Sequence, residues 1–173
     1  MVLRAVPSGW DNPARGMKKV LRAVPVVLLV IVIASVLSRP HRSERADAPL
    51  LAGAHVPPQV LSTIERSCRD CHSEATRYPW YSYIAPVSWL IKQDVEQGRE
   101  HLNFSKWNEY SVIRRERCLS EIANQVQDGG MPMSIYTFMH RDAKLSRADI
   151  DAIFAWTQEE RARLITESMA GKN

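Results

Sequence analysis

Glycine is scarce in this chain, seven in 173 residues, and no stretch alternates apolar with polar residues over the length of a strand. Tight hairpins draw on glycine for positive φ, so a hairpin-rich β architecture is excluded and the fold class expected is all-α. There is no glycine-rich phosphate loop, no G-x-S-x-G turn, no H-E-x-x-H helix and no heptad run long enough for a coiled coil. An excess of one charge is missing too where it would matter. The net charge is +4, but residues 1–56 hold eight Lys and Arg against three Asp and Glu, while residues 57–173 hold fifteen against sixteen. The larger part is near neutral, and no nucleic-acid partner is expected.

A composition of 45% apolar and 24% charged residues suits one globular domain with a short appendage. The appendage holds the one long apolar run, AVPVVLLVIVIASVL at residues 23–37, preceded by Lys18, Lys19 and Arg22. That layout is a secretory signal or a signal anchor. Val20 and Leu21 lengthen the run if Arg22 snorkels toward the headgroups, and small residues for cleavage are represented only by a weak Val36, Leu37, Ser38 site. An uncleaved membrane anchor over residues 17–40 is therefore expected. Five basic residues before the run and three after it place the N-terminus in the cytoplasm and the domain outside it. Residues 1–16 form a short tail, or lie upstream of a true start at Met17, because VLRAVP occurs at both 2–7 and 20–25.

Residues 41–56, without apolar period, read as a linker in which His41 and His55 are solvated. The domain is expected over residues 57–173, opening at Pro57 and Pro58, since proline is tolerated at the first helical position. Helices are predicted over 58–71, over about 86–98 with Val87, Leu90, Ile91 and Val95 on one face, and over about 111–127. The third stops at Asp128, Gly129 and Gly130. A last helix of some twenty residues opens at Ser146 to Asp149, a capping-box pattern, and buries Ile150, Ile153, Phe154, Thr157 and Leu164.

At the end of the first of these helices stands SCRDCHSEATRYPWYSYIAP, residues 67–86. The spacing C-x-x-C-H is that of c-type haem attachment. Two thioether bonds need two thiols a fixed distance apart, which Cys68 and Cys71 supply, and His72 follows as proximal iron ligand. Its second ring nitrogen is expected to donate to a carbonyl, fixing ring orientation and basicity. Zinc would want two further ligands in a close pair, and Cys118 stands alone. A thioredoxin-like pair would open a helix after a strand, whereas here a helix precedes the motif.

Two longer stretches, CRDCHSEATRYPWYSYIAPVSWLIKQDVEQGREHLNFSKW and GGMPMSIYTFMHRDAKLSRADIDAIFAW, resemble the haem-binding domain family of small bacterial c-type cytochromes over about residues 57–160. Its pattern joins the cysteine-histidine motif to T-x-Y-P-W-Y-S, L-N-F-S-x-W and M-P-x-x-x-Y-x-x-x-H. The resemblance implies a cytochrome-c-like helical domain, one covalent haem c, and exposure to the periplasm. By likeness to single-domain cytochromes c, in which a methionine before the C-terminal helix is the sixth ligand, it implies Met131 as the ligand opposite His72. The usual M-P-P stands here as Met131, Pro132, Met133, so Met133 is an alternative, as are Met139 and, for a bis-histidine site, His140.

Tyr78, Trp80, Tyr81 and Tyr83 are expected mainly in the core, with one or two at the porphyrin edge. Arg99 and Lys92 are candidate counter-charges for propionates. Trp89, Phe104, Trp107 and Trp156 are assigned to packing, and Cys118 to a small buried apolar position. The function expected is one-electron transfer by a mono-haem cytochrome held in the inner membrane, with redox proteins as partners. The alternatives are a haem sensor or peroxidase-like enzyme with an open or displaceable sixth ligand, and a haem-free thiol protein.

Overall fold

The computed structural model describes residues 13–41 and 43–170. The tail expected ahead of Met17 falls outside these as far as residue 12. Every regular element among the described residues is helical, in agreement with the expected all-α class. A long helix, α1 (Pro13–Leu37), is followed by an irregular segment, then α2 (Pro58–Ser67), the single turn α3 (Arg69–His72), α4 (Val87–His101), α5 (Val112–Gln127), α6 (Ser134–Met139) and α7 (Arg147–Ala170). Short 3-10 segments at Trp80–Tyr83, Phe104–Glu109 and Arg141–Ala143 lie between them.

The helix ends follow local chemistry. Pro58 occupies the first turn of α2. The Ser111 hydroxyl accepts the Arg114 N–H at the start of α5. Gly129, at φ +71, takes the left-handed position past the end of α5, where any side chain would be strained. Ser146 and Asp149 cap α7 reciprocally: Asp149 N donates to Ser146 Oγ at 3.1 Å and Ser146 N to Asp149 Oδ2 at 2.9 Å.

The core forms where α5 packs along α7 and α2 packs across it, from Val60, Ile64, Trp107, Leu119, Ile153 and Trp156. The segment expected to be a linker contributes as well. Leu51 is buried and donates its N–H to Phe104 O at 2.9 Å, while the His55 carbonyl accepts Trp156 Nε1–H at 2.9 Å. His55 itself keeps its ring exposed, and its N–H meets the buried, Arg163-paired Glu160. These buried backbone groups need partners, and the domain satisfies them.

Three expectations of burial are corrected. Trp80 and Tyr83 are exposed, Tyr78 and Tyr81 are half-buried, and Trp89, Leu90 and Phe154 lie on the surface. Helical spacing reports one apolar stripe, but α4 uses only Val95 and Ser88 fully in the core. Among the described residues no helix is long and apolar enough to cross a membrane, so the expected span is not established by the fold. The described side chains of α1 from Leu21 onward are largely exposed, and its C-terminal end meets the domain. There Ala85 N donates to Ser35 Oγ at 3.0 Å, and the hydroxyls of Ser38 and Ser88 share a hydrogen bond at 2.8 Å.

Candidate haem site

The C-x-x-C-H stretch sits at a break between two helices. Cys68 closes α2 with its N–H to Ile64 O and leaves the helical run at φ −124, and α3 then turns Cys71 and His72 inward, with His72 N donating to Cys68 O at 3.0 Å. Helix α4 crosses this turn at Gly98. A β-carbon there would lie 2.6 Å from the Cys71 carbonyl oxygen, so only glycine permits the approach. The same approach brings two carbonyls to the histidine: His72 Nδ1 lies 3.0 Å from Gly98 O and 3.1 Å from Leu102 O. Both are acceptors, so Nδ1 carries the proton and Nε2 keeps a free lone pair. Burial lowers the His72 pKa, against the opposing pull of the two carbonyls, and favours the neutral imidazole that binds iron.

Cys68, Cys71 and His72 line one cavity of about 630 Å³, a size in the ordinary range for small-ligand sites. Ile64, Leu102, Phe104, Ile122, Val126 and Ile153 make much of its wall, and the Phe104 ring meets the His72 ring edge-on at 6.2 Å. Neither cysteine is in a disulfide. Burial, first, and the neighbouring Cys71 push Cys68 up to about 12, and burial with Asp70 and Asp94 pushes Cys71 up to about 11. Ser67 Oγ, buried on the same wall, has no hydrogen-bond partner. Two neutral thiols, an imidazole nitrogen and an orphaned hydroxyl, all facing one apolar cavity, are a donor set that fits a haem.

Met131, Pro132, Met133 and Tyr136 also line the cavity. The Met131 loop is tied to α5 by Met131 N donating to Gln125 O at 3.1 Å. Both methionines are half-buried, so the geometry leaves the pair as the sixth-ligand candidates. His140 is not among the lining residues: its Nε2 is hydrogen-bonded to Tyr81 Oη at 2.7 Å and its ring stacks on Tyr136 at 4.5 Å. The bis-histidine alternative would require His140 to leave both of these contacts. Tyr136 in turn donates from its hydroxyl to Asp70 Oδ2 at 2.9 Å, and Asp70, between the two cysteines, also accepts Arg77 N at 3.1 Å. The late Tyr and His thus clamp α6 to the attachment motif and to the Tyr-Pro-Trp-Tyr segment.

The expected propionate partners are placed elsewhere. Arg99 donates to Ser73 O and Thr76 Oγ1, both at 2.9 Å, and pairs with Glu74, bracing the loop after the motif. Lys92 is exposed beside Glu96. The polar rim of the cavity is made instead by Asp94, Gln97, His101, Glu121 and Gln125. One or two of Tyr78, Trp80, Tyr81 and Tyr83 are expected at the porphyrin edge, but none lines the cavity, whereas Phe104 and Cys118, both read as packing, do. Tyr136 was legible only as a motif letter and Gly98 only as the end of a helix, since their roles depend on residues far along the chain.

Sequence comparison agrees with this geometry. A cytochrome c peroxidase, Ccp, of Escherichia coli (strain K12) is 26% identical over 124 residues, which are 70% of this chain and 27% of that protein. The chain therefore spans about a quarter of that relative's length. No solved structure matches. Residues 26–159 match the haem-binding domain family, taking in the whole cavity and all the segments that wall it. The chain belongs to the haem-binding domain family and is a haem protein.

Proposed function

We propose that the chain is a membrane-anchored, periplasmic, mono-haem c-type cytochrome that carries one electron at a time between redox proteins. The observation that carries the reading is the convergence of Cys68, Cys71 and a carbonyl-tied His72 on one largely apolar cavity that Met131 and Met133 also line. Cys68 and Cys71 would hold the haem as thioethers, and His72 Nε2 and Met131 would ligate its iron. Bound haem supplies the one-electron iron couple. The chain's part is to exclude water with Ile64, Leu102, Phe104 and Val126, to hold the imidazole neutral and oriented, and to keep the Met131 loop closed through Tyr136 and Asp70. A preorganised, closed site suits electron transfer, because little has to rearrange between oxidation states.

The anchor is supported by α1. From Leu21 to Leu37 it is 17 residues long, about 26 Å at the helical rise, and its apolar side chains are exposed. The shortfall against a hydrocarbon core of about 30 Å is within what snorkelling and local thinning absorb. Absorption spectra of the oxidised and reduced protein, made in a host that matures cytochromes c, test the haem reading. A reduced spectrum of thioether-linked haem with no carbon monoxide binding is expected. Free binding of carbon monoxide would instead favour a second reading, a peroxidase-like or sensor module with an open iron, which the name of the Escherichia coli relative suggests.

A further inference from the structure

One group of exposed apolar residues of the domain lies beside the end of α1. Trp80 is 75% exposed, Leu90 60% and Trp89 53%, with Tyr83, Ile84 and Val87 also at the surface. Their arrangement along α4 matters. In its first turn Val87, Trp89 and Leu90 are all exposed, with Trp89 pointing away from the face that Val87 and Leu90 share, while the exposed positions beyond it are Lys92, Gln93, Glu96, Gln97, Glu100 and His101. A face made to receive a partner helix would be apolar along one side. Here every exposed residue of the first turn is apolar and every exposed residue beyond it is polar, the pattern of an element whose tip enters an apolar phase.

Where that tip lies is set by α1. Tyr83 and Ile84 share a groove with Ile31, Val32, Ser35, Val36 and Arg39, and the hydrogen bonds Ala85 N to Ser35 Oγ and Ser38 to Ser88 hold the two elements together. Ile31 lies six residues before Leu37, about 9 Å back along the helix axis. Resting on the anchor reading above, we infer that the Trp80–Tyr83 turn, Ile84 and the first turn of α4 are seated in the lipid interface, with Trp80 and Trp89 as amphipathic anchors at headgroup level. The haem domain is then held in one orientation against the bilayer, with Lys92 next along α4 at the anionic headgroups.

The test uses the full holoprotein in phosphatidylcholine vesicles that contain a phosphatidylcholine with a photoactivatable diazirine on one acyl chain. After illumination, lipid adducts are mapped by peptide mass spectrometry. Adducts are expected on residues 21–37 and on residues 80–90, the latter enriched about tenfold over Ile135, Phe138 and Met139, since burying even one such apolar side chain shifts occupancy by about that factor. Those three are equally exposed apolar residues on α6 and serve as the internal control. Adducts on 21–37 with 80–90 no higher than the α6 control would overturn the inference and leave the anchor standing. Absence of adducts from 21–37 would remove the anchor and the inference with it. A Trp80→Gln, Leu90→Gln variant that retains its haem should lose adducts from 80–90 and keep those on 21–37.

Discussion

The Gly98 carbonyl stands 3.0 Å from His72 Nδ1, and it can do so because Gly98 has no side chain to strike Cys71. One residue thereby provides both the steric gap and the hydrogen-bond acceptor that position the iron-binding imidazole. The two roles are separable by experiment.

Gly98→Ala adds a methyl that would meet the Cys71 carbonyl at 2.6 Å, a backbone atom that cannot swing away. Alanine favours a helix interior by about 1 kcal/mol over glycine. Overpacking costs about 1–3 kcal/mol, so the steric term is expected to win. Thermal unfolding of the holoprotein should show a lower midpoint, accompanied by a shifted haem absorption band. A higher midpoint with an unchanged spectrum would mean α4 has room at this point.

Cys68→Ala and Cys71→Ala should each reduce or abolish the haem-stained band after denaturing electrophoresis. Cys118→Ala, which also lines the cavity but lies outside the C-x-x-C-H spacing, should keep it. Equal loss in all three variants would remove the covalent assignment.

Met131→Ala is expected to lose the methionine-to-iron charge-transfer band, lower the potential and admit carbon monoxide, because a thioether that favours the reduced state is gone. Met133→Ala should leave these nearly unchanged. An exchange of the two outcomes assigns the ligand to Met133. His140→Ala should preserve axial ligation and lower stability, since His140 is committed to Tyr81 and Tyr136.

Tyr136→Phe removes a hydrogen bond to the Asp70 carboxylate while keeping the ring on His140. Hydrogen bonds to charged groups contribute about 1.5–3 kcal/mol, and Asp70 retains Arg77, so a loss at or below the lower end is expected, about 1 kcal/mol. Denaturant titration measures it; a neutral result would show that α6 is held by stacking alone.

Asp149 is held below the usual carboxylate value of 3.8 by the backbone and side-chain hydrogen bonds from Ser146, against an opposing contribution from burial, and further by Thr63 and Arg66. Its folded pKa is depressed, so its stabilisation is fully present above pH 3.8 and is lost as pH falls through the folded value. Unfolding midpoints measured down that range should fall less steeply in Asp149→Asn than in the parent. Parallel slopes would show that the cap does not carry the acid sensitivity.

What the sequence determined by itself is what a few neighbouring residues decide. The C-x-x-C-H spacing sets Cys68, Cys71 and His72 on one turn. Ser111, Gly129 and the Ser146–Asp149 box end or begin helices within a single turn of chain, and α2, α4, α5 and α7 start and stop within a few residues of expectation. The tertiary structure decided everything that depends on a partner far along the chain. The carbonyls on His72 come from 26 and 30 residues away, and Tyr81 holds His140 from 59. Leu51 and the His55 backbone, in a stretch with no period to read, enter the domain because Phe104 and Trp156 offer the bonds their buried groups require. The aromatics after the motif reach the surface for the same reason: an apolar residue signals that it will be covered by something apolar, but only the fold decides whether the cover is the core, the cofactor or a surface outside the domain.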